Sequence, residues 1–318
     1  MAEPSTGSRP MCALHPDRQA MGTCERCGNF MCMECGQAGS SPTCLRCREL
    51  AGAGVFPFAR ANWSFNALWD YCWELFKREW LMLSVAALVL FAVSGVGGVI
   101  SSILQLPFKD SGVVAAVATA VIGQVIAMVL QGMAEMGMLR IVFDVLQGQK
   151  ADLSRLSTQV PKIGKYVVQK LWLLLLFGVP VVAYFVLLIG VGALVSGAPL
   201  NEELFEGGRV IQVLVLGSLV ALVPIVYFAV PLYFATMEIV FVDGVRPFES
   251  IKNCYAIAKG QRLTIFGVAL LAALIILVGL IACCIGILPA LGLGQLLLAG
   301  VYLALRSGAE VRQPGARA

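Results

Sequence analysis

The residues able to do chemistry are concentrated in one stretch, 12–47, which reads CALHPDRQAMGTCERCGNFMCMECGQAGSSPTCLRC. Four ligand pairs follow one another there, each with two residues between its members: Cys12/His15, Cys24/Cys27, Cys32/Cys35 and Cys44/Cys47. His15 is the only histidine in the chain, and seven of the eleven cysteines lie in this stretch. A tight turn with ligands at this spacing aims both side chains at one metal. Thiolate and imidazole suit Zn²⁺, which takes four of them in a tetrahedron. Eight ligands therefore predict two zinc ions. So short and polar a segment cannot bury a core, and the metal is expected to supply most of its folding energy. Gly28 and Gly36, directly after Cys27 and Cys35, fit turns that aim backbone N–H groups at sulfur.

Spacing alone leaves two groupings open. Sequential pairing joins Cys12/His15 to Cys24/Cys27 and Cys32/Cys35 to Cys44/Cys47. Interleaved pairing joins Cys12/His15 to Cys32/Cys35 and Cys24/Cys27 to Cys44/Cys47. Only four residues separate Cys27 from Cys32, which favours the interleaved form, because the two central pairs then face opposite ways. The competing reading is a disulfide cluster. Residues 1–11, MAEPSTGSRPM, carry no apolar secretory run, and the orientation argument below places the segment in a reducing compartment. A catalytic zinc keeps one position open for water, whereas here no ligand is missing.

The order C-x2-H, C-x2-C, C-x2-C and a final ligand pair resembles the B-box-type zinc finger, a cross-brace, over about forty residues. The resemblance implies the interleaved assignment. It departs at the last pair, where the family usually ends in histidines and this chain has Cys44 and Cys47. The second site would then be all-sulfur, as suits a structural metal.

The elements that carry this module are of another kind. Of 318 residues, 59% are hydrophobic and 13% charged, and the mean hydropathy is +0.85. That lies far outside the range of soluble globular proteins. A formal net charge of +4 is too small to suggest nucleic acid. Within 12–47, Arg18, Arg26 and Arg46 are balanced by Asp17, Glu25 and Glu34, a poor surface for phosphate.

Crossing a membrane takes about 20 apolar residues. Six spans are predicted, near 80–104, 112–134 (its helix running on toward 147), 171–196, 209–236, 263–284 and 287–306. Lys and Arg collect in 140–170, in 243–262 and in the tail. The loops around 105–111, 197–209 and 285 hold only Lys109 and, against Glu202, Glu203 and Glu206, Arg209. The positive-inside bias therefore assigns both termini, the two long loops and the cysteine-rich module to the cytoplasm, with the chain in the cell's inner (cytoplasmic) membrane.

Three lead-in segments resemble one another: DYCWELFKREWL (70–81), KYVVQKLWLL (165–174) and KNCYAIAKGQRL (252–263). Trp73, Tyr166 and Tyr255 precede Lys77, Lys170 and Lys259 by four residues, and Cys72 and Cys254 share a slot. Each is expected to be an interfacial helix, with its aromatic at headgroup level and its lysine reaching toward water. In 248–259, Phe248, Ile251, Tyr255 and Ala258 recur at helical spacing, as suits a helix lying on the inner leaflet.

The expected fold class is thus all-α integral membrane, with six transmembrane helices in three helical-hairpin repeats with interfacial helices, plus a small N-terminal zinc-stabilised cross-brace. The expected domains are a disordered start (1–11), the zinc module (12–47), a linker (48–62), the membrane domain (63–306) and a cytoplasmic tail (307–318). The lead-in Trp73, Phe76, Lys77, Arg78 and Trp80, with Tyr255 to Arg262 before the last hairpin, is similar to bacterial multi-pass proteins grouped with the glycerophosphoryl diester phosphodiesterase membrane domain. That resemblance covers roughly 60–306 and implies a six-helix membrane module. It does not bring the catalytic domain, whose metal-binding residues have no counterpart here.

Polar residues inside the apolar runs are few. Gln124, Gln131 and Glu135 form one helix stripe with Met128 between them, expected to bond neighbouring helices or to line a polar cavity. Glu238 ends span four as Glu135 ends span two. Pro224 and Pro231 share a face of span four, and Ser94, Gly95, Gly97, Gly98, Ser101 and Ser102 form a small-residue surface suited to close packing. Cys283 and Cys284 read as small packing residues. No nucleophile elbow, phosphate loop, dinucleotide fingerprint or H-E-x-x-H occurs, so no enzyme is expected. The expected role is a scaffold or regulator whose zinc module binds a protein partner, with membrane lipids around the helices and no nucleic acid. The alternative is a transporter or lipid-handling protein regulated by the module.

Overall fold

A computed structural model describes residues 10–36, 43–50, 56–108, 112–196, 209–242, 244–282 and 286–309. The expected disordered start up to residue 9, Lys109, Glu202, Glu203, Glu206, Asp243, Cys283, Cys284 and the tail from 310 lie outside the described residues.

The module holds two short antiparallel strands, β1 (Gly22–Thr23) and β2 (Phe30–Met31), followed by helix α1 (Leu45–Leu50). The membrane body begins at Ser64, whose hydroxyl accepts from the Ala67 amide at 3.4 Å and caps α2 (Phe65–Gln105). Helix α3 (Val113–Leu146) returns against it. Helix α4 (Ile163–Leu173) continues through a π-helical turn, Leu174–Gly178, into α5 (Val179–Ser196). Helix α6 (Arg209–Ala229) keeps its path past Pro224, then tightens at Pro231 into a 3-10 turn, Val230–Phe234, before α7 (Ala235–Phe241). The last unit is α8 (Pro247–Ile257), α9 (Arg262–Ala282) and α10 (Ile287–Arg306). Six helical stretches are long and apolar enough to cross a membrane, one for each predicted span. They pair as three hairpins: α2 with α3, α5 with α6, α9 with α10.

The lead-in segments differ from one another in how they join their spans. Residues 70–81 are early turns of α2 itself, which at 41 residues and about 1.5 Å per residue is roughly 60 Å long, twice the hydrocarbon thickness. Segment 165–174 likewise runs on into its span. Nothing in FKREWLML or KLWLLLL interrupts the helix. Only the third lead-in is separate, because Gly260, with φ of +76°, stops the helix between α8 and α9. The expected apolar face of α8 is divided: Ile251 and Ala258 are buried in protein, with the helix packed toward α4 and α7, whereas Phe248 is exposed and Tyr255 half-buried. Tyr166 of the second lead-in is buried in protein over Gly132, where even one Cβ would overlap its ring.

The core sits at the end of the body that carries the basic loops, called here the basic end. Leu68 and Cys72 of α2, Met136 to Leu146 of α3 and all of α7 are buried there, and α10 is buried along most of its length, with Leu83 of α2 against its Gly292. In α10, 72% of the apolar window is buried, against none in the α4–α5 stretch. Elsewhere the helices expose apolar side chains in quantity, among them Val99, Val186, Val220 and Ile281, as lipid-facing helices do. Residues 56–62 dock rather than hang free. Phe56 and Phe58 meet Tyr71 edge-on, Arg60 Nη1 donates to the Ile257 carbonyl at 3.2 Å, and the Arg60 amide donates to Ser307 at 3.1 Å.

Candidate metal centre

The fold of residues 10–47 brings the four ligand pairs together by alternation. The amide of Cys12 donates to Arg18 at 2.9 Å and that of Ala13 to Phe30 at 3.0 Å, which lays the first pair beside β2. Strand β2 leads directly into Cys32, so the first and third pairs meet. The Cys24–Cys27 turn closes through Gly28 N–H to the Cys24 carbonyl at 2.8 Å and is held by Cys24 N–H to Asn29 at 2.8 Å. Helix α1 then delivers Cys47, and Arg26 Nη1 bonds its carbonyl at 2.9 Å, so the second pair meets the fourth.

Two four-residue sets result, each with its ligand atoms all within 4.8 Å of one another: Cys12, His15, Cys32 and Cys35, and Cys24, Cys27, Cys44 and Cys47. In the first, His15 Nδ1 lies 3.2 Å from Cys35 Sγ, 3.5 Å from Cys32 Sγ and 4.0 Å from Cys12 Sγ, and Cys12 and Cys35 sulfurs are 3.6 Å apart. In the second, Cys27 and Cys44 sulfurs are 3.7 Å apart. Tetrahedral coordination with bonds of about 2.3 Å puts sulfurs about 3.8 Å apart, so both sets have the dimensions of a filled site. Each can hold one metal ion. The arrangement matches the interleaved grouping, and the cysteines are free rather than disulfide-bonded.

The electrostatics show why a cation belongs there. Burial raises the thiol of Cys12, yet amides of Cys32, Leu14 and His15 outweigh it and hold the group down at about 6. Cys24 is likewise held at about 6, burial being outweighed by amides of Cys44, Cys27 and Arg26. Burial and the neighbouring sulfurs push Cys35 and Cys47 up to about 12. Each set thus contains one thiol whose ionisation nearby amides favour and at least one that burial and neighbouring sulfurs disfavour, an opposition that a cation between them would relieve. The amides that favour thiolate belong to residues between and within the pairs. Gly28 and Gly36 instead send their N–H groups to the carbonyls of Cys24 and Cys32.

The polar residues of the membrane body form separate structural groups. Glu238 is fully buried. It accepts from Asn253 Nδ2 at 3.0 Å, from Arg306 Nε at 3.0 Å and from the Tyr302 hydroxyl. Asp144 lies 3.2 Å from Arg140 and 3.6 Å from Arg155. Lys162 Nζ donates to the Val240 carbonyl at 2.9 Å, at the end of α7. Glu135 accepts from Tyr166 at 2.9 Å, whereas Gln124 and Gln131 of the same stripe stand at the surface. The small residues of α2 do pack closely: a Cβ on Gly97 would stand 3.2 Å from Ala127 Cα. Ser94 and Ser102 bond their own helix. Sequence reading located Glu135 and Glu238 but missed their partners. The Arg140/Asp144 pair, four residues apart, was the one of these groups with a local signal.

No protein-family model, curated protein or solved structure matches this chain.

Proposed function

We propose that Zn²⁺ fills both sets and that the module is a B-box-like protein-docking domain, tethered to the membrane by a six-helix body that performs no chemistry of its own. The observation that carries this reading is the closure of both sets: each supplies four ligand atoms at tetrahedral spacing, leaving no position for a reacting water. Seven thiolates and one imidazole suit zinc over harder cations. Thiolates persist where the surroundings are reducing, and the Lys/Arg-rich loops favour the cytoplasmic side of the inner membrane for the module and both termini.

A docking role finds support in the module's surface. Met11, Leu14, Met21 and Phe30 are exposed, at 44%, 40%, 61% and 45%. The backbone hydrogen bonds from Ala13 to Phe30 and from Ala20 to Pro10, with the strand pairing, bring together the segments that carry these residues on a scaffold with little core of its own. Exposed apolar side chains on a rigid metal-held frame are the usual anchors of a protein interface. The test is crosslinking pulldown from native membranes with wild type, Met21→Glu/Phe30→Glu and Cys24→Ser/Cys27→Ser. The reading requires a partner lost in both variants, with zinc retained in the first. Equal recovery from all three chains would defeat it.

A further inference from the structure

We infer that the chain pairs with a second copy of itself in the membrane, along the face of α3 that carries Gln124 and Gln131. Both side chains are exposed within the apolar run of the helix. Seven residues apart, they stand on one face about 10 Å apart along the axis. Among the described residues neither has a hydrogen-bond partner within the chain, while the nearby polar groups Glu135 and Gln105 are bonded to Tyr166 and Ser101. Helix α2 occupies a different side of α3, where Gly97 backs onto Ala127 and Ser101 onto Gly123, and Tyr166 covers Gly132. Helices α5 and α6 pack chiefly on each other and leave this face open.

Acyl chains offer a carboxamide nothing, so lipid contact would leave two donors and an acceptor unmet on each glutamine. Polar side chains in spans face protein or water instead. A second copy inserted the same way round is related by a twofold axis along the membrane normal, which sets α3 parallel to α3. Gln124 then faces the partner's Gln124, and Gln131 faces the partner's Gln131. The carboxamide both donates and accepts, so each pair is complementary to itself, which commits the face to a copy of this chain. A seven-residue repeat keeps parallel helices in register. Val117, one such step earlier and 57% exposed, continues the seam.

The test is energy transfer between labelled full-length chains in liposomes, followed on dilution with lipid. Replacing both glutamines, Gln124→Leu/Gln131→Leu, is expected to weaken association by roughly tenfold or more, while Gln131→Asn retains more of it. Leucine suits a lipid-facing helix, and an unchanged unfolding midpoint of the helical body in detergent micelles would verify that the variant is folded. A photoreactive residue in place of Val117, with both glutamines kept, gives a second readout. Adducts of twice the chain mass support the pairing. Adducts to lipid or only within one chain, or transfer unchanged in the double variant, overturn it.

Discussion

His15 Nδ1 stands 3.2 Å from Cys35 Sγ, twenty residues further along the chain. This contact joins the first ligand pair to the third past the second, and it makes the only imidazole of the chain part of one metal set alone. His15→Ala should therefore cost one ion and leave the Cys24/Cys27/Cys44/Cys47 set its full complement. His15→Cys should keep both. Native mass spectrometry reads the count directly; unchanged occupancy in His15→Ala would contradict the assignment.

Metal retention should fall on acidification. Cys12 and Cys24 are held at about 6, below the 9.0 of an ordinary thiol. A depressed acid favours the folded form wherever it is ionised. Its contribution is therefore whole above about 9 and is lost as pH falls through about 6. Cys35 and Cys47, raised to about 12 without a cation, act in the opposite sense and must give up protons to bind metal, so protons compete at these positions as well. Zinc transfer to a chromogenic chelator should be slight at pH 8 and extensive near pH 5. A flat profile over that range would be inconsistent with thiolate ligation.

At the basic end of the body, Arg306 donates to Glu238 at 3.0 Å, and their side chains are 18% and 0% exposed. Glu238→Gln keeps the shape and strands a largely buried cation, at a cost of about 3 kcal/mol. Glu238→Gln/Arg306→Gln should be less damaging than the sum of its parts, because the second change removes the stranded charge. Thermal unfolding in detergent micelles, run as a double-mutant cycle, measures the coupling; additive losses would mean that the pair contributes nothing.

The Tyr166 ring stands so close over Gly132 that any side chain there must displace it. Gly132→Ala should destabilise the body by about 1–3 kcal/mol through overpacking. In the Tyr166→Phe background, which only loses the bond to Glu135, the same penalty should persist, and in Tyr166→Ala it should vanish. The comparison is made by unfolding midpoint in the same micelles.

Much of this was legible in the sequence for definite reasons. The spans announced themselves because runs such as 263–282 hold no charge past Arg262's end and are bounded by basic or glycine-containing turns. The ligands announced themselves because x-x-spacing is set by the turn, and four residues between Cys27 and Cys32 already leaned toward alternation. Partners far along the chain were not legible: nothing local ties Glu238 to Tyr302 or Arg306, more than sixty residues away. Periodicity placed Gln124, Gln131 and Glu135 on one stripe but said nothing of its direction. The lower end turns to Tyr166, and the upper end faces out, because α2 takes a different side of α3. The lead-in segments read as separate surface helices because their composition is amphipathic. Continuity into the span depends on the junction, and only Gly260 breaks one.

The most direct test of the metal account is cadmium-113 resonance on the exchanged full-length protein, with and without Cys24→Ser. Two signals are expected, one from a four-sulfur site and one from three sulfurs and a nitrogen. Either grouping of the pairs gives that spectrum, but the variant separates them. The interleaved sets require Cys24→Ser to shift the four-sulfur signal and leave the nitrogen-containing one in place; a shift of the nitrogen-containing signal alone, or fewer than two signals from the unaltered chain, would contradict the account.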